Sequence, residues 1–328
     1  MTGTLRRLAL AAVAGAGFAS LAGPASSAEA VRVALGDTVS VETLCVVVAL
    51  DRAKARGVDY KLTSFAKEDL AIQAVINNQA DLGVATPFSV IQKTKAPIRG
   101  LFQVSRLIFF PVADKSYKSW KDLDGQPFVF HARGSGTEAI GNIIARREGI
   151  TFGQRSYIAG SENRIIAMMN GQIKATIVDL ANKNKLMEKA GDKFHVLPGV
   201  PEPASDEVLF ARTDWLEKNG QQADVIVEEF LKLWREFAKN PAVMDEERKK
   251  RGLLKELPAE ALAGVTKFYA EGVKAGLFDA KGGGAAAAKS DIEFYTEAGQ
   301  LTGPASALKV EDFWNFGPLE KARKKLGG

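Results

Sequence analysis

Residues 128–150, FVFHARGSGTEAIGNIIARREGI, decide how the rest of this chain is read. The stretch opens on Phe128-Val129-Phe130, an apolar β-type run, and turns at Arg133-Gly134-Ser135-Gly136. It then enters a helix at Thr137 with Ile140, Ile143 and Ile144 on one face. The glycines permit positive φ and a close approach of backbone to a ligand. Ser135 or Thr137 can cap the helix, and its free N–H groups and dipole form an anion-binding corner to which Arg133 would add a full charge. A capped helix after a strand accounts for the same residues without any ligand, so the company the stretch keeps must decide.

Working outward, the preceding segment repeats the scheme. A strand at 31–35 ends at Gly36 and a polar turn follows through Asp37, Thr38 and Ser40. A helix spans 42–56, an alternating strand 58–65, a helix 68–78 and a strand 80–85 that stops at Thr86-Pro87. After residue 137 come a short strand near Tyr157, a helix at 162–170, a strand at 175–178, a helix at 182–190 and a strand at 194–197. This is βαβαβ patterning, which predicts mainly parallel sheets covered by helices. Residues 75–86 (VINNQADLGVAT) and 168–179 (MMNGQIKATIVD) match almost position for position, placing Thr86 and Asp179 at equivalent strand ends. Two similar α/β lobes follow. The segments 106–112, read as a strand broken at Pro111, and 198–206, rich in proline, are two crossings between them. The predicted division is a signal peptide at 1–30, lobe I at 31–108 and 206–328, and lobe II inserted at 109–205. Beyond the second crossing the pattern is helical, with Ile226, Phe230, Leu233, Trp234 and Phe237 on one amphipathic face. The glycine-rich 282–285 reads as a mobile loop, and Phe313, Trp314 and Phe316 as anchors of the tail on the first lobe.

The chain's 328 residues suffice for two domains, and 46% hydrophobic with 25% charged residues is an ordinary globular composition. Net charge is +5 without a basic stripe interleaved with aromatics, which argues against nucleic acid. Arg6-Arg7, the small apolar run 8–22 and the cleavable Ser26-Ser27-Ala28 and Ala28-Glu29-Ala30 read as an export leader, with the general or twin-arginine route both open. Pro24 stands where a lipoprotein box needs cysteine, so a soluble, unlipidated periplasmic protein is expected. Cys45, the one cysteine, lies in an apolar run and reads as buried and structural.

Ligands of parallel α/β sheets sit at the carboxyl ends of the strands. Here those ends carry Asp37, Thr38, Ser40, Thr86 and Phe88 in one lobe, and Arg133, Gly134, Ser135, Gly136, Thr137, Ser161 and Asp179 in the other. The signal peptide, the strand ending in Gly36, the segment Asn78 to Val84, and the turn Trp120-Lys121-Asp122-Leu123-Asp124-Gly125 leading to Arg133-Gly134-Ser135-Gly136-Thr137 resemble solute-binding proteins of ABC importers. Their nitrate, sulfonate and taurine group, with relatives that bind thiamine-pyrimidine precursors, is the most similar. The resemblance implies a type II periplasmic-binding-protein fold, a small-molecule ligand in the interlobe cleft, a membrane permease and ATPase as partners, and a monomer with neither catalytic residues, metal nor cofactor. Loops matching Asp37 to Ser40, Thr86 to Phe88 and Gly134 to Thr137 would contact the ligand. The Gly-Ser-Gly-Thr-Glu form is also similar to binding proteins of TRAP transporters. The rival class is an exported dinucleotide-dependent oxidoreductase using Gly134-x-Gly136-x-x-Ala139. Arg133 and the helix N-terminus favour an anionic ligand, whereas Asp37 and Asp179 oppose one. His131 and His195 read as core or edge residues.

Overall fold

The computed structural model describes residues 29–199 and 204–328. The expected leader, apart from Glu29 and Ala30, lies outside the described residues, as does part of the second crossing. Among the described residues, ten strands form two five-stranded sheets. Strands β1 (Val31–Leu35), β2 (Tyr60–Ser64), β3 (Leu82–Ala85) and β4 (Ile98–Gln103) belong to the first sheet. The second holds β5 (Phe109–Asp114), β6 (Phe128–Phe130), β7 (Arg155–Tyr157), β8 (Ala175–Asp179) and β9 (Phe194–Val196), after which β10 (Val208–Arg212) returns to the first. The orders are β2-β1-β3-β10-β4 and β7-β6-β8-β5-β9, one pattern used twice.

Helices cover both sheets: α1 (Leu44–Lys54), α2 (Glu68–Ile76), α3 (Phe88–Thr94), α4 (Gly136–Glu148), α5 (Ser161–Met169), α6 (Leu180–Ala190), α7 (Thr213–Lys239), α8 (Val243–Arg251), α9 (Ala259–Ala263), α10 (Val265–Ala275), α11 (Ala285–Glu297) and α12 (Gly317–Leu326). The sequence repeat is structural: α2–β3 and α5–β8 keep one spacing, and the turn residues Asn78 (φ 59°) and Gly171 (φ 72°) hold the same left-handed conformation. Glu68 and Ser161 therefore open equivalent helices. None of the described helices is long and apolar enough to cross a membrane.

Each sheet is mixed. β1–β2, β1–β3, β6–β7 and β6–β8 are parallel, while β10 runs antiparallel between β3 and β4, and β5 antiparallel between β8 and β9. The reversed strands are those that begin just after each crossing. Pro111 does not break its strand: it sits in register opposite Ile177, and its carbonyl accepts the amide of Leu197 at 3.0 Å. What Pro111 lacks is only a donor, and β5 tolerates the loss.

The apolar face of α7 is buried as its spacing predicts, with Ile226, Phe230, Leu233, Trp234 and Phe237 no more than 1% exposed. Trp234 packs among Phe102, Phe230, Phe237 and Phe278, and its indole N–H donates to the Val104 carbonyl at 3.1 Å. Cys45 is buried, and burial lifts its thiol to about 12. The 282–284 loop is tied down rather than loose. Gly282, Gly283 and Gly284 all have φ between 71° and 86°, Gln103 N–H donates to the Gly282 carbonyl, and Arg323 donates to that of Gly283. Only glycine takes three such conformations in a row without strain. The tail is pinned as expected, since Gly100 exchanges backbone hydrogen bonds with Phe313 and Asn315 at 2.8 and 2.9 Å.

Candidate functional site

The crossings come first, because they position the site. Segments 104–107 and 204–207 pair antiparallel: Leu107 N–H donates to Ala204 O and Asp206 N–H to Ser105 O, each at 2.9 Å. Beneath them Ser205 is fully buried. Its N–H and hydroxyl donate to the two carboxyl oxygens of Asp291 at 2.6 and 3.0 Å, and its carbonyl accepts from Tyr295 at 2.6 Å. A rigid post under Ser205 thus presents Asp206 and Glu207 to the space between the sheets.

That space is a cleft of about 430 Å³, counted to its open mouth. Its first wall is Gly36, Asp37, Glu42 and Glu68, at the carboxyl end of β1 and the start of α2. The second is His131, Ser135, Gly136, Thr137, Ser161 and Arg164. Phe109, Asp206 and Glu207 come from the crossings. The walls also touch away from the cleft: Gln300 donates to Ser135 O at 3.2 Å and Asn184 to Glu271 at 3.1 Å.

The residues expected from sequence divide. Asp37, Ser135, Gly136, Thr137 and Ser161 line the cleft. Ser135 caps α4 by accepting from Glu138 N, and Thr137 Oγ1 accepts from His131 N at 3.0 Å. Gly136 is forced by proximity, since a Cβ there would lie 2.1 Å from Leu107 Cδ2 and 2.8 Å from Asp206 Oδ1. Thr86 donates from its hydroxyl to Asp206 O at 2.6 Å and from its N–H to Glu68 at 2.8 Å, so it fixes the wall from behind. Asp179 caps α6 and lines a neighbouring recess. Five others lie elsewhere. Thr38 is exposed, and Ser40 braces its own turn by accepting from Glu42 N at 3.2 Å. Phe88 is in the core against Tyr295 and Trp314. Arg133 is exposed, with its guanidinium over the Tyr157 ring at 5.4 Å. Gly134 N–H is taken by Glu138 Oε2 at 2.7 Å.

The anion corner expected at α4 is therefore crowded by the protein's own acidic groups. Glu138 occupies one amide and Ser135 another, and Asp206 faces Gly136. A pyrophosphate would have to displace a carboxylate and approach a second one, which removes the basis for a dinucleotide site at Gly134-x-Gly136.

Sequence reasoning missed Glu42, Glu68, His131, Arg164, Asp206, Glu207 and Phe109. Burial lifts Glu68 to about 7, against the hydrogen bond it receives from Thr86. It raises Asp37 as well, and it raises Glu42, Asp206 and Glu207 well above the carboxylate range, helped by their mutual repulsion. Arg164, wholly buried, is lowered to about 10 by desolvation and donates to Ile158 O, Ile177 O and Ser161 Oγ. His131 lies 3.8 Å from Glu68, yet burial and Arg164 hold the imidazole at about 3, so the pair is a neutral ring beside a carboxyl group and not an ion pair. His195 is elsewhere, its ring 2.7 Å from Tyr117 O.

Two mixed α/β lobes, joined by paired crossings and enclosing a polar cleft, define the periplasmic-binding-protein fold. The chain belongs to the NMT1/THI5 like family, whose profile matches residues 53–243. Among solved structures, one from Bordetella bronchiseptica RB50 superposes with a TM-score of 0.74 at 18% identity, covering 92% of this chain and 99% of that one. The periplasmic nitrate-binding protein NrtA from Synechocystis PCC 6803 gives 0.67 at 12% identity, over 91% of this chain and 89% of its own. A zinc-bound ligand-binding component of an ABC-type import system from Staphylococcus aureus gives 0.62 at 13%, over 89% and 98%. At such identities what is shared is the fold. No curated protein sequence matches the chain.

Proposed function

We propose that this protein is an extracytoplasmic solute-binding protein that captures a small organic molecule between its lobes and delivers it to the permease and ATPase of a membrane importer. The observation that carries the reading is a cleft lined by both lobes and by the two crossings, with charged side chains turned into it. We place the lobe division at 108/109 and 205/206, the paired crossings acting as hinge. Membership of the family and the fold shared with a component of an ABC-type import system support the same reading. Binding without turnover is the expectation. Purified protein is incubated with a chemically mixed pool of small molecules, desalted, denatured and analysed by mass spectrometry. One retained compound per chain, recovered unchanged, is the expected result. A chain that retains nothing, or that returns an altered compound, overturns the proposal.

A further inference from the structure

We propose that the cleft selects a compact organic cation, a protonated amine or amidine whose N–H groups are received by Asp37, Glu42, Asp206 and Glu207, with an apolar arm lying along Phe109. The proposal rests on the cleft being the ligand site.

The balance of charge in the cleft favours a cation. Five carboxyl groups, on Asp37, Glu42, Glu68, Asp206 and Glu207, line the space, against one fixed cation, Arg164. The donors of that guanidinium are committed to two carbonyls and a hydroxyl of the second lobe, so its charge reaches Asp37, Glu42 and Asp206 only through space, one cation among several carboxyl groups.

Several polar groups in the cleft also lack partners. Among the described residues the carboxyl groups of Glu42, Asp206 and Glu207 receive no hydrogen bond and enter no ion pair, although all three face the cleft. Buried carboxyl groups without a partner hold their protons, and a cation with several N–H donors would stabilise their ionised form. His131 supplies an independent mark. Its Nδ1 accepts from Gly160 N at 3.2 Å, which leaves the proton on Nε2, and Nε2 is inaccessible and without a partner. An acceptor atom on the ligand, or a water it holds, completes that donor.

The shape of the space adds an apolar element. A second recess of about 320 Å³, also counted to its open mouth, shares Glu42 and Phe109 with the cleft and is walled by apolar Ile108, Leu180, Phe268 and Leu277, with Asp179 and Glu271 at its polar side. Charge beside Asp206 and Glu207 and an apolar group beyond Phe109 can belong to one molecule. A metal ion fits less well, because among the described residues no three His, Cys, Asp or Glu groups gather closely enough to hold one. An anion fits worst: the carboxyl groups of Glu138 and Asp206 stand at the start of α4, and Arg133 points away onto Tyr157.

The test is an isosteric charge series, benzamidine, benzamide and benzoate, with phenethylamine, nitrate and an alkanesulfonate, titrated by calorimetry into the purified full chain near neutral pH. Benzamidine or phenethylamine should bind at least tenfold more tightly than benzamide, and the anions should not bind. Asp206→Asn and Glu207→Gln should each weaken the cation about tenfold or more, while Arg133→Ala leaves it unchanged; tenfold corresponds to about 1.4 kcal/mol. If a variant does not fold, the series on the unmodified chain decides alone. Binding of nitrate, sulfonate or benzoate without binding of either amine overturns the proposal and leaves the solute-binding reading standing. Equal binding of benzamidine and benzamide, or cation binding indifferent to both carboxyl substitutions, also overturns it. Retention of nothing from the mixed pool defeats the solute-binding reading itself.

Discussion

Asp291→Asn should change the pH dependence of stability more than stability itself. Asp291 lies on α11, is 0% exposed, and holds Ser205 through both carboxyl oxygens. Burial pushes its pKa up to about 7, against the two hydrogen bonds that favour its ionised form. Because the folded value exceeds the unfolded one, the folded state binds the proton more tightly. The associated stability is fully present below about pH 4 and is lost as pH rises through about 7. Each pH unit inside that window is worth about 1.4 kcal/mol, so the wild type should lose about 3 kcal/mol from this group between about pH 5 and pH 8. Asparagine keeps the shape and cannot titrate. Whatever constant cost it brings, the stability of Asp291→Asn relative to wild type should rise by about 3 kcal/mol across that interval. The cleft carboxyls titrate in both proteins and largely cancel in the difference. Urea denaturation at the two pH values, with linear extrapolation, measures it. A difference that stays flat, or that moves against the variant as pH rises, would show Asp291 ionised at low pH and the desolvation argument wrong.

Trp234→Ala removes the centre of a five-ring cluster and an indole hydrogen bond, and should cost about 3–5 kcal/mol by chemical denaturation. Ser135→Ala removes the α4 cap and should cost about 0.5–2 kcal/mol, read in the same way. Gly136→Ala puts a methyl into Leu107 and Asp206, so it should lower the melting temperature and weaken ligand retention together. Cys45, buried with its thiol raised to about 12, should resist a maleimide at neutral pH and react only after unfolding; prompt labelling of native protein would contradict the packing of α1.

Much of the fold was written in local pattern. The period of apolar residues in α7, the glycine turn before α4 and the repeated Asn-x-Gln or Gly-Gln turn before β3 and β8 are properties of neighbouring residues, so sequence alone determines them. The repeat even fixed that two lobes exist, since α2–β3 and α5–β8 must each find a sheet. Sequence reasoning also found Asp37, Ser135, Gly136, Thr137 and Ser161 on the cleft wall, because strand ends in parallel sheets converge there. It went astray where a side chain had a choice of partners. Arg133 could turn to a ligand or to Tyr157, and Glu138 could remain in solvent or fill the amide of Gly134; only the packed structure shows the second outcome in each case. The polarity of the cleft lay beyond local reading for a related reason. Glu42, Glu68, Asp206 and Glu207 are scattered along the chain and look like ordinary surface charges. Their meeting depends on β10 returning antiparallel between β3 and β4, a pairing between residues more than a hundred positions apart. Register across such a gap is set by the burial of whole sheets, and it is this that turns four unremarkable carboxylates into one wall.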